Sequence, residues 1–465
     1  MDASGDFFLQ LLSCQHDDPS QFKILLSVLY RKKAGNARAL TVSRFSARIK
    51  QMSKGAKTMK KSVLQAYARL IVRCGVNVQP GQEVMIHAGL DQPEFVELVV
   101  KEAYAAKAKK VIVEWSYQPL EKLHLRHQSL KTLGTVASWE RERQEHMCQV
   151  LPARIYLESD DPDGLKGMNL NKAAKARQLR YPILKPYRDR RENRDQWCIA
   201  AVPGKKWAKK VFPGLRTGTA VERLWQAILS ASRVTEDPIA AWEAHNADLK
   251  ARCDYLNGLR IHALHYKADN GTDLTVEMIP QAIWCGGRED SLQGISFNPN
   301  IPSEECFISP MRGKAEGVVH ATKPLSYQGQ LIEDFWFRFE NGRVAESGAR
   351  RGEELLKTMV AMDEGAACLG ECALVPQHSP IAEMGFLFYN TLFDENAACH
   401  LALGCGFADT IANFRNRSLE ECRELGVNDS MIHEDFMIGC DSMDIDAICE
   451  DGKTLPIFRG GNWAF

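Results

Sequence analysis

The feature that most constrains the fold of this chain is an alternation of strand-type and helix-type segments from Met59 to about residue 256. Short runs rich in β-branched and aromatic residues are separated by stretches in which apolar residues recur at helical spacing. The predicted strands cover residues 83–87, 111–115, 153–158 and 196–202. Strands that alternate with helices usually form a parallel sheet with helices on its faces. We therefore expect an α/β N-terminal domain over residues 59–256 with a mostly parallel sheet.

The pattern changes after two predicted helices at residues 218–233 and 237–256. Three pairs of alternating segments follow, and each pair is joined by an Asn-Gly or Asp-Gly turn that favours a β-hairpin. The hairpins are predicted at residues 260–279, 330–346 and 446–458. Residues 257–465 are therefore expected to form an α+β C-terminal catalytic domain with antiparallel hairpins.

Overall composition argues against several classes of protein. Basic and acidic residues are balanced at 59 each, so no global field would attract nucleic acid or an anionic membrane. No apolar stretch reaches the roughly 18 residues of a membrane span. No glycine-rich phosphate loop follows a predicted strand, which argues against a dinucleotide site. The 14 cysteines are scattered singly, which favours buried, reduced thiols and a cytoplasmic location.

Charge is distributed unevenly near the N-terminus, where residues 19–82 contain no Asp or Glu but many Lys and Arg. Three interpretations are open: an organelle-targeting presequence, a basic arm for nucleic acid, or translated upstream sequence with the functional start at Met59. We favour the third, because regular patterning begins abruptly at Lys60. Residues 1–58 are expected to be a disordered basic extension.

Two histidines in the last third of the chain are candidate metal ligands. His433 lies two residues before Asp435 in a predicted strand, so both side chains should point to the same face. His400 is expected on a helix whose start is marked by Asp394. Imidazoles and carboxylates without paired thiolates suit Zn, Co, Mn or Mg.

Three glutamates complete the candidate set. Glu305 follows a proline-stiffened extended segment, and Glu371 is expected to open a strand. A carboxylate shared by two cations, with terminal ligands for each, would suit a hydrolase that activates water. Glu304 is the candidate general base because it adjoins a ligand. The alternative is a surface carboxylate, because neighbours in an extended segment point apart.

Five separated blocks of sequence carry a resemblance to a known family. They are residues 297–305, 317–329, 369–376, 388–404 and 432–439. In these blocks and in their order, the chain from about Lys60 onward resembles the M29 family of metalloaminopeptidases, the thermophilic aminopeptidase group. The resemblance implies that five residues match the ligands of a dinuclear centre, namely Glu305, Glu371, His400, His433 and Asp435. It also implies an N-terminal α/β domain, a C-terminal catalytic domain and a homodimer.

The sequence departs from the family at one position. The family motif often carries a tyrosine seven residues after the first histidine, and here that position is Phe407. A phenyl ring cannot donate a hydrogen bond to a developing oxyanion. Tyr389 is a candidate to donate that hydrogen bond instead. The alternative is that Tyr389 is a buried aromatic residue of the core.

These observations lead to three functional hypotheses. The first is a cytoplasmic aminopeptidase with two divalent cations, acting on peptides with a free N-terminus and binding neither nucleic acid nor membrane. The second is a mononuclear non-haem Fe(II) ring-cleaving dioxygenase, because two histidines and Asp435 alone form such a set. The third is a non-catalytic binding protein, for which Phe407 and the basic arm are the support. Glu305 and Glu371 favour the first, because a single iron does not require them.

Overall fold

The computed structural model describes residues 59–465, so the predicted extension over residues 1–58 lies outside the described residues. The strands are β1 (Glu83–Gly89), β2 (Lys110–Ser116), β3 (Ala153–Glu158), β4 (Trp197–Ala201), β5 (Ile261–Lys267), β6 (Asp273–Met278), β7 (Glu289–Asp290), β8 (Ser296–Phe297), β9 (Asn300–Ile301), β10 (Cys306–Ile308), β11 (Pro310–His320), β12 (Leu325–Tyr327), β13 (Gln330–Glu340), β14 (Arg343–Arg351), β15 (Leu369–Leu374), β16 (His400–Gly404), β17 (His433–Met437), β18 (Asp444–Cys449), β19 (Thr454–Arg459) and β20 (Asn462–Trp463).

Helices cover the first sheet and connect it to the second half of the chain. They are α1 (Lys61–Leu70), α2 (Pro93–Ala105), α3 (Gln118–His127), α4 (Leu130–Gly134), α5 (Ser138–Val150), α6 (Leu170–Arg191), α7 (Lys205–Val211), α8 (Thr217–Ala231), α9 (Pro238–Gly258), α10 (Glu353–Val360), α11 (Thr391–Glu395) and α12 (Leu419–Leu425). Local sequence explains where two of these helices begin. The Asn169 side chain caps α6 by accepting a hydrogen bond from the Lys172 N–H, and Pro93 occupies the first turn of α2. None of these helices is long and apolar enough to cross a membrane.

The N-terminal half contains the predicted parallel sheet. Its strand order is β2-β1-β3-β4-β9, and every neighbouring pair is parallel. The strands are bounded by helices that bury their apolar faces against the sheet, as the alternating pattern predicts. The predicted fold class is confirmed in this half.

The C-terminal half is antiparallel and contains the three predicted hairpins. The pairs β5–β6, β13–β14 and β18–β19 belong to a nine-stranded sheet. In the second hairpin, Asn341 and Gly342 have φ values of +50° and +70°, which glycine and asparagine tolerate best. A separate four-stranded sheet has the order β10-β15-β16-β17. This smaller sheet contains or adjoins every predicted metal ligand.

Two segments of the second half complete the first half across the predicted boundary near residue 256. Strand β9 extends the parallel sheet beside β4. Phe388, Leu392 and Phe393 are buried in the same hydrophobic cluster as the N-terminal helices, and the Trp207 indole donates to the Phe388 carbonyl at 2.6 Å. The described residues belong to one compact unit. The division into domains at 59–256 and 257–465 stays a prediction.

Candidate metal centre

Strand pairing in the four-stranded sheet puts four predicted ligands on one face. Glu371 of β15 lies opposite Ala402 of β16, and Ala402 lies opposite Asp435 of β17. Residues directly opposite one another share a face, and so do residues two apart along a strand. His400 is two residues before Ala402, and His433 is two residues before Asp435. All four ligands therefore face the same side, with only a methyl group between the two carboxylates.

The position of His400 differs from the sequence prediction. It begins strand β16 and does not lie on a helix, because α11 ends at Glu395. All five residues of β16 are buried between two neighbouring strands. A short continuous apolar run fits a buried helix or a buried strand equally well, so its periodicity could not separate the two. Glu371 is likewise the third residue of its strand and not the first.

The five predicted ligands converge in space. The His400 Nε2 atom lies 3.1 Å from Glu305 Oε2, and the His433 Nε2 atom lies 3.0 Å from Glu371 Oε2 and 3.3 Å from Asp435 Oδ1. They form two groups of three, in each of which the ligand atoms lie within 4.8 Å of one another. One group is Glu305, Glu371 and His400, and the other is Glu371, His433 and Asp435. Glu371 belongs to both groups, as a carboxylate shared by two cations would.

Backbone carbonyl groups orient both imidazoles toward the cluster. The His433 Nδ1 atom lies 2.7 Å from the Cys405 carbonyl oxygen, and the His400 Nδ1 atom lies 3.0 Å from that of Glu395. A ring nitrogen that faces a carbonyl oxygen must carry the proton and donate it. Each Nε2 atom then faces the carboxylates, to which it donates while the ring is protonated, and a neutral ring would offer its lone pair there to a cation. This is the arrangement in which metal-ligating histidines are usually held.

The electrostatics of the cluster fit a cation. Burial raises the pKa of Glu371 to about 7, against the opposing effect of His433. Burial lowers the pKa of His400, but the Glu305 carboxylate outweighs that effect and raises it to about 9. The Asp435 Oδ1 atom is buried, and the His433 Nε2 atom lies 3.3 Å from it. Clustered buried carboxylates call for a counter-charge, and oxygen and nitrogen donors suit Zn, Co, Mn or Mg.

Glu395 is a sixth candidate ligand, and the fourth acidic one, that the sequence patterns do not indicate. It is 8% exposed and lines the same cavity as the five ligands. Burial raises the pKa of its carboxyl well above the usual range, and the charges of Asp435, Glu305 and Glu371 raise it further. Its carbonyl also orients His400. The local signal for it is the Asp-Glu pair at residues 394–395, in which Asp394 marks the predicted helix start.

The cavity over the cluster has a volume of about 340 Å³ and mixed polar and aromatic walls. Phe407 lines it, and the centroid of its ring lies 4.8 Å from that of the His433 imidazole. Phe307 lies on the same wall, 5.5 Å from Phe407 between ring centroids. The residue that departs from the family motif therefore lines the cavity, beside one of the predicted ligands.

The two residues predicted to be catalytic lie elsewhere. The Glu304 carboxylate pairs with Arg233, whose Nη1 atom lies 2.6 Å from Oε1 and whose Nη2 atom lies 2.8 Å from Oε2. The Tyr389 ring lies 5.0 Å from the Lys210 ammonium, and Tyr389 is absent from the residues that line the cavity. Because side chains alternate along the extended segment, Glu304 points away from Glu305. The geometry therefore gives no support to Glu304 as a general base, and the position of Tyr389 outside the cavity gives none to Tyr389 as a hydrogen-bond donor.

Comparison with known proteins agrees with this geometry. The family model described as thermophilic metalloprotease (M29) matches residues 60–463. Aminopeptidase AmpS of Bacillus subtilis is 42% identical over 404 residues, covering 86% of this chain and 98% of that protein. The structure of wild-type AmpT from Thermus thermophilus is 39% identical with a TM-score of 0.78, covering 87% of this chain and 100% of that one.

A third comparison bears on the dioxygenase hypothesis. The structure of 2,5-dihydroxypyridine dioxygenase from Pseudomonas putida KT2440 is 12% identical with a TM-score of 0.48, over 88% of this chain. A likeness that weak carries no argument about chemistry. The two stronger relatives and the family match agree on one class of enzyme. The chain belongs to the thermophilic metalloprotease (M29) family, and it is a peptidase of the aminopeptidase type.

Proposed function

We propose that this peptidase holds two divalent cations and releases N-terminal amino acids from peptides whose N-terminus is free. The observation that carries the proposal is that Glu371 belongs to both three-ligand groups. Glu305 and His400 would complete one metal position, and His433 and Asp435 the other. Glu395, on the wall of the same cavity, is a further candidate ligand.

The residues of the chain have distinct tasks in this proposal. Bound cations would polarise the scissile carbonyl and lower the pKa of water. The Glu395 and Cys405 carbonyls hold the imidazoles in the tautomer whose Nε2 is free. The carboxylates make the cavity attractive to the ammonium group of an unblocked N-terminus. Its volume of about 340 Å³ admits a few residues of an extended peptide and excludes folded proteins.

Two further parts of the proposal concern the setting of the enzyme. We propose a cytoplasmic location, supported by the cysteines of the described residues, all thirteen of which are free thiols. We also propose a homodimer, which rests on the family resemblance. Sedimentation equilibrium tests the dimer, for which the mass should be twice the 52.2 kDa of the chain or of its processed form.

The direct test is metal content together with activity. Protein purified without added metal, then loaded with Co or Zn, should contain about two equivalents and hydrolyse leucine anilide. Chelation should abolish hydrolysis, and metal should restore it. Activity that survives exhaustive chelation would contradict the metal mechanism. A His433→Ala variant should lose metal and activity, whereas His262→Ala, at an exposed position on β5, should keep both.

The same measurements decide between the alternatives. One iron per chain, with oxygen consumption on dihydroxylated aromatic rings and no peptide hydrolysis, would favour the dioxygenase. A His433→Ala variant that retains full cellular function would favour a non-catalytic binding protein.

A further inference from the structure

A second cavity adjoins the metal-ligand cavity. It has a volume of about 220 Å³ and shares three wall residues with its neighbour, namely Trp197, Glu289 and Phe407. None of the proposed metal ligands lines it. Its other walls carry three arginines, from β3 and from the C-terminal end of α6: Arg154, Arg188 and Arg191. An arginine-lined cavity thus lies beside a site that handles peptides.

The charge of the Arg154 guanidinium is balanced by a neighbouring carboxylate. Its Nε and Nη2 atoms donate to the two oxygens of Asp195 at 2.8 and 3.0 Å, and Nη1 donates to the Tyr156 hydroxyl at 2.9 Å. Asp195 is 2% exposed and is held in this bidentate pair. Three of its five N–H groups are therefore engaged, and Asp195 balances its charge.

Arg191 is different, because the ion-pair partner recorded for it among the described residues is a carboxylate that Arg154 already binds at shorter distance. Its side chain is 11% exposed, and Nη2 donates to Gln144 at 3.3 Å. The Nε and Nη1 atoms are buried and make no hydrogen bond to any described residue. The nearest ion-pair partner of Nη1 is Asp195 at 3.8 Å, and that carboxylate already binds Arg154. Burial, and then the charge of Arg154, lower the pKa of Arg191, as expected for an under-compensated cation.

The remaining groups of the cavity leave that cation available. Arg188 lies over the Tyr181 ring at 5.4 Å and forms ion pairs at 3.7 Å with Asp189 and Asp429, although its buried Nε atom makes no hydrogen bond. Acidic walls are formed by Glu192, Glu289 and Asp409, and none of them forms an ion pair with Arg191. Burial raises the pKa of Glu192, against the opposing charge of Arg188, and raises that of Asp409 to about 6. Unsatisfied buried guanidinium donors are costly unless a ligand accepts from them.

We propose that the arginine-lined cavity binds the C-terminal carboxylate of short peptide substrates, with Arg191 as the main donor and Arg188 beside it. The inference rests on the proposed aminopeptidase function and names its preferred substrate class. A short peptide would lie with its N-terminus at the metal ligands and its C-terminus at the arginines. Phe407, common to both cavities, would lie along the peptide between them.

The test compares a tripeptide with its amide. The metal-loaded wild-type enzyme should hydrolyse Leu-Gly-Gly with a kcat/KM about tenfold or more above that for Leu-Gly-Gly amide, mostly through KM. In Arg191→Gln this preference should fall to about one, and Arg191→Lys should keep part of it. Hydrolysis of leucine anilide, which has no carboxylate, should stay within about twofold of wild type in both variants.

A matched control comes from the neighbouring residue of the same helix. Arg190 is half-exposed and pairs with Glu145 outside the cavity, so Arg190→Gln should keep the preference of the wild type. The amide Leu-Glu-Gly-NH2 separates the two sources of a carboxylate. An Arg191-dependent preference for this amide would mean that an acidic side chain, and not the C-terminus, is bound, and would overturn the proposal.

Two other results would also overturn it. One is equal hydrolysis of the acid and the amide by wild type, and the other is an undiminished preference in Arg191→Gln. Failure of the aminopeptidase function would look different, since leucine anilide would then be untouched by the metal-loaded enzyme. Calorimetric titration of the same acid and amide would still measure the carboxylate preference in that case. Equal affinities would reject the arginine subsite.

Discussion

At the scale of single residues, Glu371 has the central place in the metal centre. It is buried on the middle of β15, and both three-ligand groups include it. Glu305 and Asp435 each belong to one group only. The three carboxylates should therefore differ in how many cations they control.

Replacing these carboxylates by their amides tests the sharing. On the two-cation proposal, Glu371→Gln should lose both cations, whereas Glu305→Gln and Asp435→Asn should each lose mainly one. Removal of a ligand costs more than the roughly 10- to 100-fold loss of affinity typical of an outer hydrogen-bond partner. Elemental analysis after gel filtration measures the stoichiometry. Two equivalents retained in Glu371→Gln would show that this carboxylate is not shared.

Phe407 supports a second residue-scale prediction. Its ring lies beside the His433 imidazole and lines the cavity, so a hydroxyl added there would face the substrate. A hydrogen-bond donor to a developing oxyanion is worth about 100- to 1000-fold in kcat. Phe407→Tyr should raise kcat by roughly tenfold or more, with little change in KM. Phe307→Tyr, on the same wall, is the control for a hydroxyl added elsewhere in the cavity. An unchanged kcat in Phe407→Tyr would mean that a hydrogen-bond donor at this position does not contribute to the rate.

A third prediction concerns the dependence of stability on pH. His87 stacks on Tyr156 at 4.7 Å, and its Nδ1 atom lies 3.0 Å from a Glu114 oxygen that also pairs with Arg143. Burial, together with the charge of Arg143, outweighs that carboxylate and lowers the pKa of His87 to about 4. His87 takes up a proton near pH 6.5 in the unfolded chain but only near pH 4 in the folded chain. The free energy of unfolding therefore decreases as the pH falls from 6.5 to 4.

His87→Gln should abolish this part of the pH dependence. Between pH 7 and pH 5, wild type should lose about 2 kcal/mol more free energy of unfolding than the variant. Urea unfolding at the two pH values measures the difference. His127→Gln, at an exposed position on α3, should lose as much as wild type. Equal losses in wild type and His87→Gln would contradict the assignment.

At the scale of elements, the pairing of β15 with β16 determines whether the ligands meet. The register shifts by one residue between Leu369 and Glu371, at Gly370. A Cβ atom at Gly370 would lie 2.4 Å from the Gly404 carbonyl oxygen and 2.5 Å from that of Cys405. The Cys405 carbonyl is also the acceptor that orients His433. The absence of a side chain here lets the two strands approach.

Gly370→Ala should therefore weaken both the sheet and the metal centre. We expect a loss of about 1–3 kcal/mol in the free energy of unfolding, as for an overpacked core, together with weaker metal binding. Thermal unfolding and metal titration measure the two effects. Gly218→Ala on α8, where an added Cβ meets nothing within 4 Å, should leave metal binding unchanged and stability equal or higher. Wild-type behaviour of Gly370→Ala would show that the strands can separate without cost.

At the scale of the whole molecule, the two halves share structural elements. Strand β9 from the second half completes the parallel sheet, and Phe388 and Phe393 are buried among the helices of the first. The described residues accordingly belong to one compact unit. The candidate metal centre lies where these halves meet, since Glu158 of β3 and Glu371 of β15 line one cavity.

The shared elements predict joint unfolding. Urea unfolding of the metal-loaded protein should give one transition, with the same midpoint by far-ultraviolet circular dichroism and by tryptophan fluorescence. Tryptophans are buried in both clusters, at Trp207 and Trp284, so fluorescence reports on both halves. Two separated transitions would instead support independent domains divided near residue 256.

Local patterning was sufficient for much of the architecture. The alternation of strands and helices predicted the parallel sheet, and Asn-Gly and Asp-Gly turns predicted all three hairpins, because turn geometry is a property of a few adjacent residues. The spacing of His433 and Asp435 predicted a shared strand face for the same reason. Together with the resemblance, these local signals identified five residues that the structure brings together.

Tertiary structure decided what depends on contacts between distant segments. His400 lies on a strand and not on a helix because two neighbouring strands enclose its apolar segment. Glu304 turns to Arg233, a partner 71 residues away, and Glu395 joins the ligands without a local pattern that marks it. The arginine-lined cavity likewise exists only because α6 and β3 meet beside the metal centre. Sequence determines local geometry through steric limits and periodicity, whereas the direction and partner of each buried charge follow from packing.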